Sequence, residues 1–283
     1  MTTTTDQQQT ECSLSNHEFQ RLKDFIYGHC GIKITDTKRA MLEARLRRRL
    51  KSLGLESFTL YCDYLFSAEG MEEELTPMID QVTTNKTDFF REPAHFDYLA
   101  RKALPELTLS KKSIVLWSAG CSTGEEPYTL AMVLNEFADG HRGCDFTILA
   151  TDISTRVLEK ARLAVYDEEA VSPVPPELKK KYLLRSKDRT RSLYRVRPEL
   201  REHVRFRHLN LMDGDFGFRE QMDIIFCRNV IIYFDKPTQE RLLNGFCRHL
   251  SPHGYLFMGH SETLFGMDLP LVQVAPTVYR RVR

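Results

Sequence analysis

Apolar residues recur at helical spacing along the amino-terminal part of the chain. Phe19, Leu22, Phe25 and Ile26 are three to four positions apart or adjacent, and a second apolar stripe runs through residues 41–53. This pattern predicts a small all-helical domain over residues 13–78. Residues 1–12, which are rich in Thr and Gln, lack such a pattern and are expected to form a disordered tail.

The pattern changes after residue 113, where short apolar runs typical of buried strands begin. Such runs occupy residues 114–117, 146–150, 204–209, 224–227, 255–258 and 278–282, and helical patterns at 127–138, 154–164 and 239–250 separate several of them. Alternating strands and helices are typical of a mainly parallel sheet covered by helices. We therefore expect an α/β domain with a Rossmann-like sheet over residues 85–283, joined to the helical domain by a linker at residues 79–84.

A segment without this alternation interrupts the predicted α/β domain at residues 166–203. It contains three prolines, a basic helical stretch at 178–184 and a short alternating run at 193–196. The prediction is a small inserted β-subdomain.

Composition gives no reason to expect a polyanionic partner or a metal. The chain has 40 Lys and Arg against 39 Asp and Glu, a net charge of +1, so no overall field favours nucleic acid or a membrane surface. Its seven cysteines form no Cys-x-x-Cys pair, and the histidines lack metal-ligand spacing. A reducing cytoplasm is the simplest location. No apolar run is long enough to span a bilayer, so direct membrane insertion is not expected.

The glycine turn after the first predicted strand carries the strongest ligand signal. Residues 117–128 read Trp-Ser-Ala-Gly-Cys-Ser-Thr-Gly-Glu-Glu-Pro-Tyr. Gly120 lets the backbone turn sharply and pass close to a ligand. The following helix opens with Glu125 and Glu126, whose charges would repel a phosphate. A cationic nucleoside such as S-adenosylmethionine fits better, although an ordinary strand-to-helix turn also explains the pattern.

Polar side chains follow three further strands, at the edge where open parallel sheets bind ligands. Asp152 is expected to accept both ribose hydroxyl hydrogen bonds, and capping of the next helix explains an acid there equally well. Asn210 and Asn229 suit an adenine edge or an amino acid group, while Leu211 and Val230 offer apolar faces for the ring. Together these residues predict a nucleoside pocket.

Two basic features suggest contacts with carboxylates. Arg91 ends the segment Asn-Lys-Thr-Asp-Phe-Phe-Arg at residues 85–91, and a guanidinium can hold a carboxylate through two hydrogen bonds. The predicted helix at residues 38–53 places Arg45, Arg48 and Lys51 opposite its leucines, so these side chains are expected to face outward. A solvated surface and docking on an acidic partner explain them equally well.

Five segments closely resemble the CheR-type chemotaxis receptor methyltransferases, and the match covers about residues 13–283. They are residues 85–91, residues 117–128, Thr-Asp-Ile-Ser at 151–154, Phe-Cys-Arg-Asn-Val-Ile-Ile-Tyr-Phe at 226–234 and Gly-His-Ser-Glu at 259–262. The resemblance implies a cytoplasmic enzyme that transfers a methyl group from S-adenosylmethionine to receptor glutamates. The products would be S-adenosylhomocysteine and glutamate methyl esters that serve sensory adaptation.

The resemblance also implies roles for individual residues. Arg91 and Tyr233 would border the reacting centre, and the basic helix would face the cytoplasmic signalling helices of chemoreceptors. The implied cofactor contacts are Asn85, Thr87, Arg91, Glu126, Asp152, Asn210, Leu211, Asn229 and Val230. Many members capture a receptor's carboxyl-terminal peptide on a glycine-containing loop of the inserted subdomain. That loop here, residues 185–192, has no glycine, which argues against such tethering.

The absence of a recognisable catalytic triad fits this reaction, because an ionised glutamate needs no general base to attack a sulfonium methyl. Two alternatives remain open. A nucleic acid amino methyltransferase would explain the basic helix, but the Asn229-Val230-Ile231-Ile232 turn lacks the prolines such enzymes carry. A non-catalytic sensor or adaptor would keep the same nucleoside pocket.

Overall fold

The computed structural model describes residues 13–141, 143–188 and 190–282, so the tail expected at residues 1–12 lies outside the described part of the chain. The chain forms two compact units. The first ends at Thr84 and also includes Tyr233–Asp235. The second comprises Asn85–Ile232 and Lys236–Arg283.

The first unit is helical, as predicted. Ser15 caps the first helix through a reciprocal capping box with Glu18, and Gly31 ends it with a left-handed φ of 70°. Leu22, Ile26 and Leu46 are fully buried, which fits the apolar stripes. The helices are α1 (Asn16–Cys30), α2 (Arg39–Leu53), α3 (Phe58–Leu65), α4 (Ala68–Glu73) and α5 (Leu75–Val82), with a 3-10 turn at Asp36–Lys38.

Helix α5 extends into the segment expected to be a linker. Residues 79–82 are helical, because Ile79 and Val82 bury their side chains with Met78. The prediction of a linker at residues 79–84 is therefore wrong as far as Val82.

The basic helix α2 differs from the expectation at Arg45. This side chain is half-buried, and its guanidinium donates to Val82 O at 2.5 Å and to Thr84 Oγ1 at 3.1 Å. Arg45 thus satisfies carbonyls at the end of α5, where helical backbone acceptors lack partners. Arg48 and Lys51 are exposed, as expected.

Arg49, on the same helix, is half-buried and forms an ion pair with the buried Glu74. Its Nε and Nη2 donate to Glu74 Oε1 and Oε2 at 2.9 and 2.6 Å, and the Tyr61 hydroxyl donates to Oε1 at 2.9 Å. The hydrogen bonds to Glu74 raise the pKa of Arg49, and burial raises the pKa of Tyr61. The carboxylate is thereby fully engaged within this unit.

The second unit contains a seven-stranded sheet in the order β6-β2-β1-β7-β8-β10-β9. The first five of these strands are parallel, and β10 pairs antiparallel with both β8 and β9. β7 is buried along its whole length, as expected for a central parallel strand. The strands are β1 (Ser113–Ala119), β2 (Asp145–Asp152), β6 (Val204–His208), β7 (Met222–Cys227), β8 (Leu250–Met258), β9 (Leu271–Ala275) and β10 (Val278–Arg281).

Helices connect and cover these strands. Of the helices in residues 13–141, 143–188 and 190–282, none combines the length and the apolar composition that a membrane span needs. The helices of this unit are α6 (Pro93–Tyr98), a π-helical turn (Leu99–Ala103), α7 (Leu104–Thr108), α8 (Glu125–Gly140), α9 (Thr155–Leu163), α10 (Pro176–Tyr182), α11 (Pro198–Arg201) and α12 (Lys236–His249). A 3-10 turn at Ile231–Tyr233 has its last residue in the first unit.

The predicted insertion forms a three-stranded antiparallel sheet, which confirms the inserted β-subdomain. Its strands are β3 (Val165–Asp167), β4 (Leu183–Arg185) and β5 (Leu193–Val196), with β5 in the centre. Tyr166 of β3 is buried, and its hydroxyl donates to Thr123 O in the glycine turn at 2.8 Å.

Candidate active site

The carboxyl ends of β1, β2, β6 and β7 lie side by side at one edge of the sheet. In the pairing register Ala119 faces Thr151, Asp152 faces His208 and Ser118 faces Phe226. The predicted pocket residues Gly120, Asp152, Asn210 and Asn229 follow or end these strands. The topology therefore brings them to the common edge at which parallel sheets bind ligands.

The glycine turn closes tightly over the end of β2. Gly120 has a φ of 80°, and its N–H donates to Thr151 O at 2.8 Å. A Cβ at this position would lie 2.5 Å from Val230 Cγ2. Glycine is thus required both by the left-handed backbone and by the approach of the Val230 side chain.

Asp152 is a buried carboxylate that faces this turn. Oδ2 accepts from Ser122 N at 2.8 Å and Oδ1 accepts from Ser154 N at 2.9 Å. The cap of α9 is Ser154, whose hydroxyl accepts from Val157 N at 3.4 Å, so the alternative of Asp152 as the helix cap is wrong. An ionised carboxylate is an acceptor on both oxygens, which is the chemistry that two ribose hydroxyls require.

The segment at residues 85–91 lies against the same turn. Ser122 Oγ donates to Asn85 O at 2.8 Å, and Phe90 N donates to Thr129 Oγ1 of α8 at 3.2 Å. Thr87 and Arg91 are half-buried, and the Arg91 guanidinium donates to Lys86 O at 3.1 Å. The structure thus places this predicted segment beside the glycine turn.

A buried arginine connects this segment to α8. Arg228 is only 7% exposed, and its Nε donates to Glu126 Oε2 at 2.7 Å. Its Nη1 donates to Arg91 O at 2.6 Å and to His95 Nδ1 at 3.2 Å. The second oxygen of Glu126 accepts from Ser118 Oγ at 2.7 Å. One guanidinium therefore fixes an acid of the glycine turn, the backbone of Arg91 and an imidazole.

The ion pair with Arg228 changes the electrostatics at the acidic start of α8. Arg228 compensates the charge of Glu126 internally, so that carboxylate repels a phosphate less than its position in the sequence suggests. Glu125 is also buried, accepts from Thr123 Oγ1 at 2.6 Å, and has its pKa raised by burial. The two glutamates at the start of α8 therefore do not by themselves select a cationic ligand.

His95 is held as a neutral imidazole. Because Arg228 can only donate, His95 Nδ1 accepts, and Nε2 carries the proton that it donates to Thr277 Oγ1 at 2.8 Å. Burial, with the nearby Arg228 charge, lowers the pKa of His95 to about 4.

Glu92, His95 and His260 place one potential metal-ligand atom each within 4.8 Å of one another, a cluster that sequence spacing did not reveal. Glu92 Oε2 lies 3.6 Å from Arg228 Nη1 and 3.9 Å from His260 Nε2, and it has no hydrogen-bond partner among the described residues. The Arg228 guanidinium already supplies a positive charge here and occupies His95 Nδ1. Glu92 and His95 therefore both lie against the Arg228 guanidinium.

The remaining predicted contacts lie on loops after β6 and β7. Asn210 and Leu211 are half-buried, and Asn210 Oδ1 accepts from Met212 N at 3.0 Å. Asn229 and Val230 are half-buried, and Asn229 has a left-handed φ of 60°. The backbone N–H groups of both donate to the Glu262 carboxylate.

Tyr233 packs with the helical unit. Its backbone carbonyl accepts from Lys33 N at 2.8 Å, and Lys38 Nζ lies 5.9 Å from the centre of its ring. The proposed role of Tyr233 beside the reacting centre stays a prediction from the family resemblance.

Sequence reasoning missed Arg228 and Glu262 as site residues. Arg228 had a recognisable signal, because it is a charged residue directly after the fully apolar end of β7. Glu262 closes the Gly-His-Ser-Glu segment after β8, but three of its four hydrogen bonds come from backbone N–H groups 31 to 33 positions away and leave no pattern in side-chain types.

A glycine turn, a buried acid after the second strand and polar loops after the next two define a nucleoside-binding domain of the Rossmann-like class. Residues 85–279 match the family model described as CheR methyltransferase, SAM binding domain, and residues 17–83 match the CheR methyltransferase, all-alpha domain. The chain belongs to the CheR methyltransferase family. The predicted family and the predicted fold, a helical domain before an S-adenosylmethionine-binding domain, are thus confirmed.

Similar proteins cover nearly the full chain. The chemotaxis protein methyltransferase of Borreliella burgdorferi is 41% identical over 95% of this chain and 95% of that protein. Chemotaxis protein methyltransferase 2 of Pseudomonas aeruginosa is 40% identical over 95% of this chain and 94% of its own. The chemotaxis protein methyltransferase of Escherichia coli is 40% identical over 94% and 91%, respectively.

Proposed function

We propose that this protein transfers a methyl group from S-adenosylmethionine to glutamate side chains of chemoreceptors, forming methyl esters that serve sensory adaptation. The observation that carries the proposal is the buried Asp152 carboxylate, set against the glycine turn within the segment that matches the S-adenosylmethionine-binding family model. The similar proteins are chemotaxis protein methyltransferases, which supports chemoreceptors as the substrate class.

The site residues fit such a cofactor. Asp152 is a buried carboxylate at the end of β2, and its oxygens are acceptors of the kind that ribose hydroxyls need. Gly120 presents backbone without a side chain, and Val230 beside it offers an apolar face. The other proposed cofactor contacts are Asn85, Thr87, Arg91, Glu126, Asn210, Leu211 and Asn229, and the demethylated product S-adenosylhomocysteine would use the same set.

When bound, S-adenosylmethionine supplies a methyl group on a sulfonium, which an ionised carboxylate can attack without a general base. The protein's task is then to align and desolvate the reactants. We assign Arg91 to holding a carboxylate by paired N–H donors, with Tyr233 beside the reacting centre. Arg228 fixes the backbone from which Arg91 projects, and the neutral His95 donates its Nε2–H to Thr277 Oγ1.

The decisive experiment is transfer of radiolabelled methyl from S-adenosylmethionine to membranes containing chemoreceptors, followed by base treatment. Glutamate methyl esters release volatile methanol, whereas methylated nucleic acid or amines do not. We expect Arg91→Ala to lower the rate more than Arg91→Lys, because paired geometry matters in addition to charge. Normal turnover in both variants would remove Arg91 from the reaction.

The same assay separates the alternatives. Label that remains with nucleic acid and resists base would favour a nucleic acid methyltransferase. Binding of S-adenosylhomocysteine without transfer to any receptor preparation would favour a sensor or adaptor.

For the receptor-binding surface we propose the exposed part of helix α2. Arg48 and Lys51 are exposed and could meet acidic faces of cytoplasmic receptor helices. Arg45, included in the sequence-based prediction, is occupied with the end of α5 and contributes less to such a surface. The glycine-free loop at residues 185–192 gives no support for tethering through a receptor tail peptide.

A further inference from the structure

The loop after β7 is built around one buried side chain, Glu262, which is 4% exposed. Its Oε2 accepts from Asn229 N at 2.9 Å and Gly259 N at 2.7 Å. Its Oε1 accepts from Val230 N at 2.8 Å and Ile231 N at 2.9 Å. A single carboxylate thus receives four backbone N–H groups, three of them from consecutive residues.

Three consecutive N–H groups converge because Asn229 adopts a left-handed φ of 60°. A left-handed residue in a turn points successive N–H groups to one side and creates a concave anion-binding nest. An ionised carboxylate suits such a nest because it has two acceptor oxygens and no donor. Without it, four backbone donors would lose this partner, two of them in buried hydrogen bonds, which is costly.

Gly259 allows the carboxylate to reach the nest. A Cβ at residue 259 would lie 2.6 Å from Asn229 Nδ2, 2.8 Å from Asn229 N and 2.9 Å from Glu262 Oε2. These distances are shorter than van der Waals contact, so any side chain there would displace the Asn229 backbone or the carboxylate.

We propose that Glu262 is a positioning residue for methyl transfer. It holds the backbone of residues 229–231 in the conformation that presents Asn229 and Val230 to the cofactor, and Gly259 provides the space. The inference rests on the proposed function of Asn229 and Val230 as cofactor contacts.

Glu262→Gln gives a sharp test, because it preserves size and shape. An amide has one acceptor oxygen, and its NH2 group would face two N–H donors in place of the second oxygen. The loop must then rearrange locally while the sheet keeps its apolar core. Asp223→Asn is the matched control, because Asp223 is also buried and accepts a backbone N–H, from Val115 at 3.0 Å, at the opposite end of β7.

The experiment measures S-adenosylhomocysteine affinity by calorimetry and backbone hydrogen exchange by mass spectrometry on the full chain. For Glu262→Gln we expect affinity to fall about tenfold or more, with faster exchange confined to residues 229–231 and 259. For Asp223→Asn we expect wild-type affinity in the folded protein.

Two results would overturn the proposal. One is wild-type affinity in Glu262→Gln. The other is exchange that rises across the whole sheet, since that marks a general structural role. If Glu262→Gln does not fold, Gly259→Ala is measured instead, and wild-type affinity in that variant is equally decisive against the proposal. A wild-type protein that fails to bind S-adenosylhomocysteine would count against the proposed function itself.

Discussion

Each unit of the protein contains an arginine paired with a buried glutamate, and the two pairs are built differently. In the helical unit Arg49 gives two donors to the two oxygens of Glu74, and Tyr61 adds a third hydrogen bond to the same carboxylate. In the α/β unit Arg228 gives only Nε to Glu126 and uses Nη1 for Arg91 O and His95.

The difference indicates two uses of the same chemistry. The Arg49 and Glu74 pair is closed, because its other partners, Ser52 Oγ and the Tyr61 hydroxyl, also belong to the helical unit, where the pair connects α2 to the start of α5. Arg228 distributes its donors over three segments of chain that meet at the candidate site. We therefore expect changes at Arg49 to affect stability and changes at Arg228 to affect function.

The largest expected effect is on activity in Arg228→Lys. A lysine keeps the positive charge, but its ammonium cannot reach Glu126, Arg91 O and His95 in the fixed geometry of a guanidinium. Misplacement of the Arg91 backbone should lower methyl transfer by about a hundredfold. Single-turnover rates at saturating S-adenosylmethionine would measure this, and a rate within twofold of wild type would show that Arg228 is merely a second structural pair.

The matched change in the helical unit is Arg49→Lys. It removes the two-point contact with Glu74 and should lower the free energy of unfolding by roughly 1–3 kcal/mol. Affinity for S-adenosylhomocysteine should stay at the wild-type value, because the residues around Asp152 and the glycine turn all belong to the α/β unit. Urea unfolding measures the stability, and calorimetry on the folded protein measures the affinity. A loss of affinity equal to that of Arg228→Lys would show that the two arginines do not differ in role.

The Arg228 network should also make stability depend on pH through His95, a group that the Arg49 and Glu74 pair does not contact. Since the pKa of His95 falls from 6.5 to about 4 in the folded protein, the unfolded chain takes up this proton first as pH decreases. The stability contributed by neutral His95 is present above pH 6.5 and is lost between pH 6.5 and about 4. The free energy of unfolding, measured by thermal unfolding, should therefore decrease more over this pH interval in the wild type than in His95→Gln, by roughly 1–3 kcal/mol. Parallel pH curves would contradict this assignment.

Exposed charge should have the smallest effect on stability. Arg48→Glu with Lys51→Glu should change the free energy of unfolding by less than about 1 kcal/mol. The same variant should raise the KM for receptor, and added salt should weaken the wild-type interaction in the same direction. Arg101→Glu with Lys102→Glu makes an equal charge change on an exposed stretch of the α/β unit. Equal receptor kinetics in both variants would show that the exposed face of α2 is a solvated surface that does not bind receptor.

Much of the fold follows from the sequence because burial follows the apolar pattern. β1 and β7 appear as continuous apolar runs, since a central parallel strand is covered on both faces. β9 could not be recognised in this way, because Val272 and Val274 are exposed on an edge strand and no buried stripe marks it.

The site residues also fall into those that the sequence could place and those that it could not. Gly120, Asp152 and Asn229 could be placed because each follows or ends a strand, and strand order determines what meets at the edge. The Arg228 and Glu126 pair joins residues 102 positions apart, so it depends on side-chain directions that local patterns do not contain. For Arg45, helical periodicity predicted an exposed side chain, but the side chain instead donates to a nearby carbonyl.

The inserted β-subdomain is not a detachable module. Tyr166 in its first strand donates to Thr123 O, its ring lies edge-on to Phe89 at 5.0 Å, and a Cβ on Gly124 would come within 2.8 Å of its hydroxyl. The glycine turn is therefore shaped partly by the insertion. Grafting or deleting this subdomain to alter specificity would need a boundary drawn after Tyr166, so that the engineered exchange leaves the turn intact.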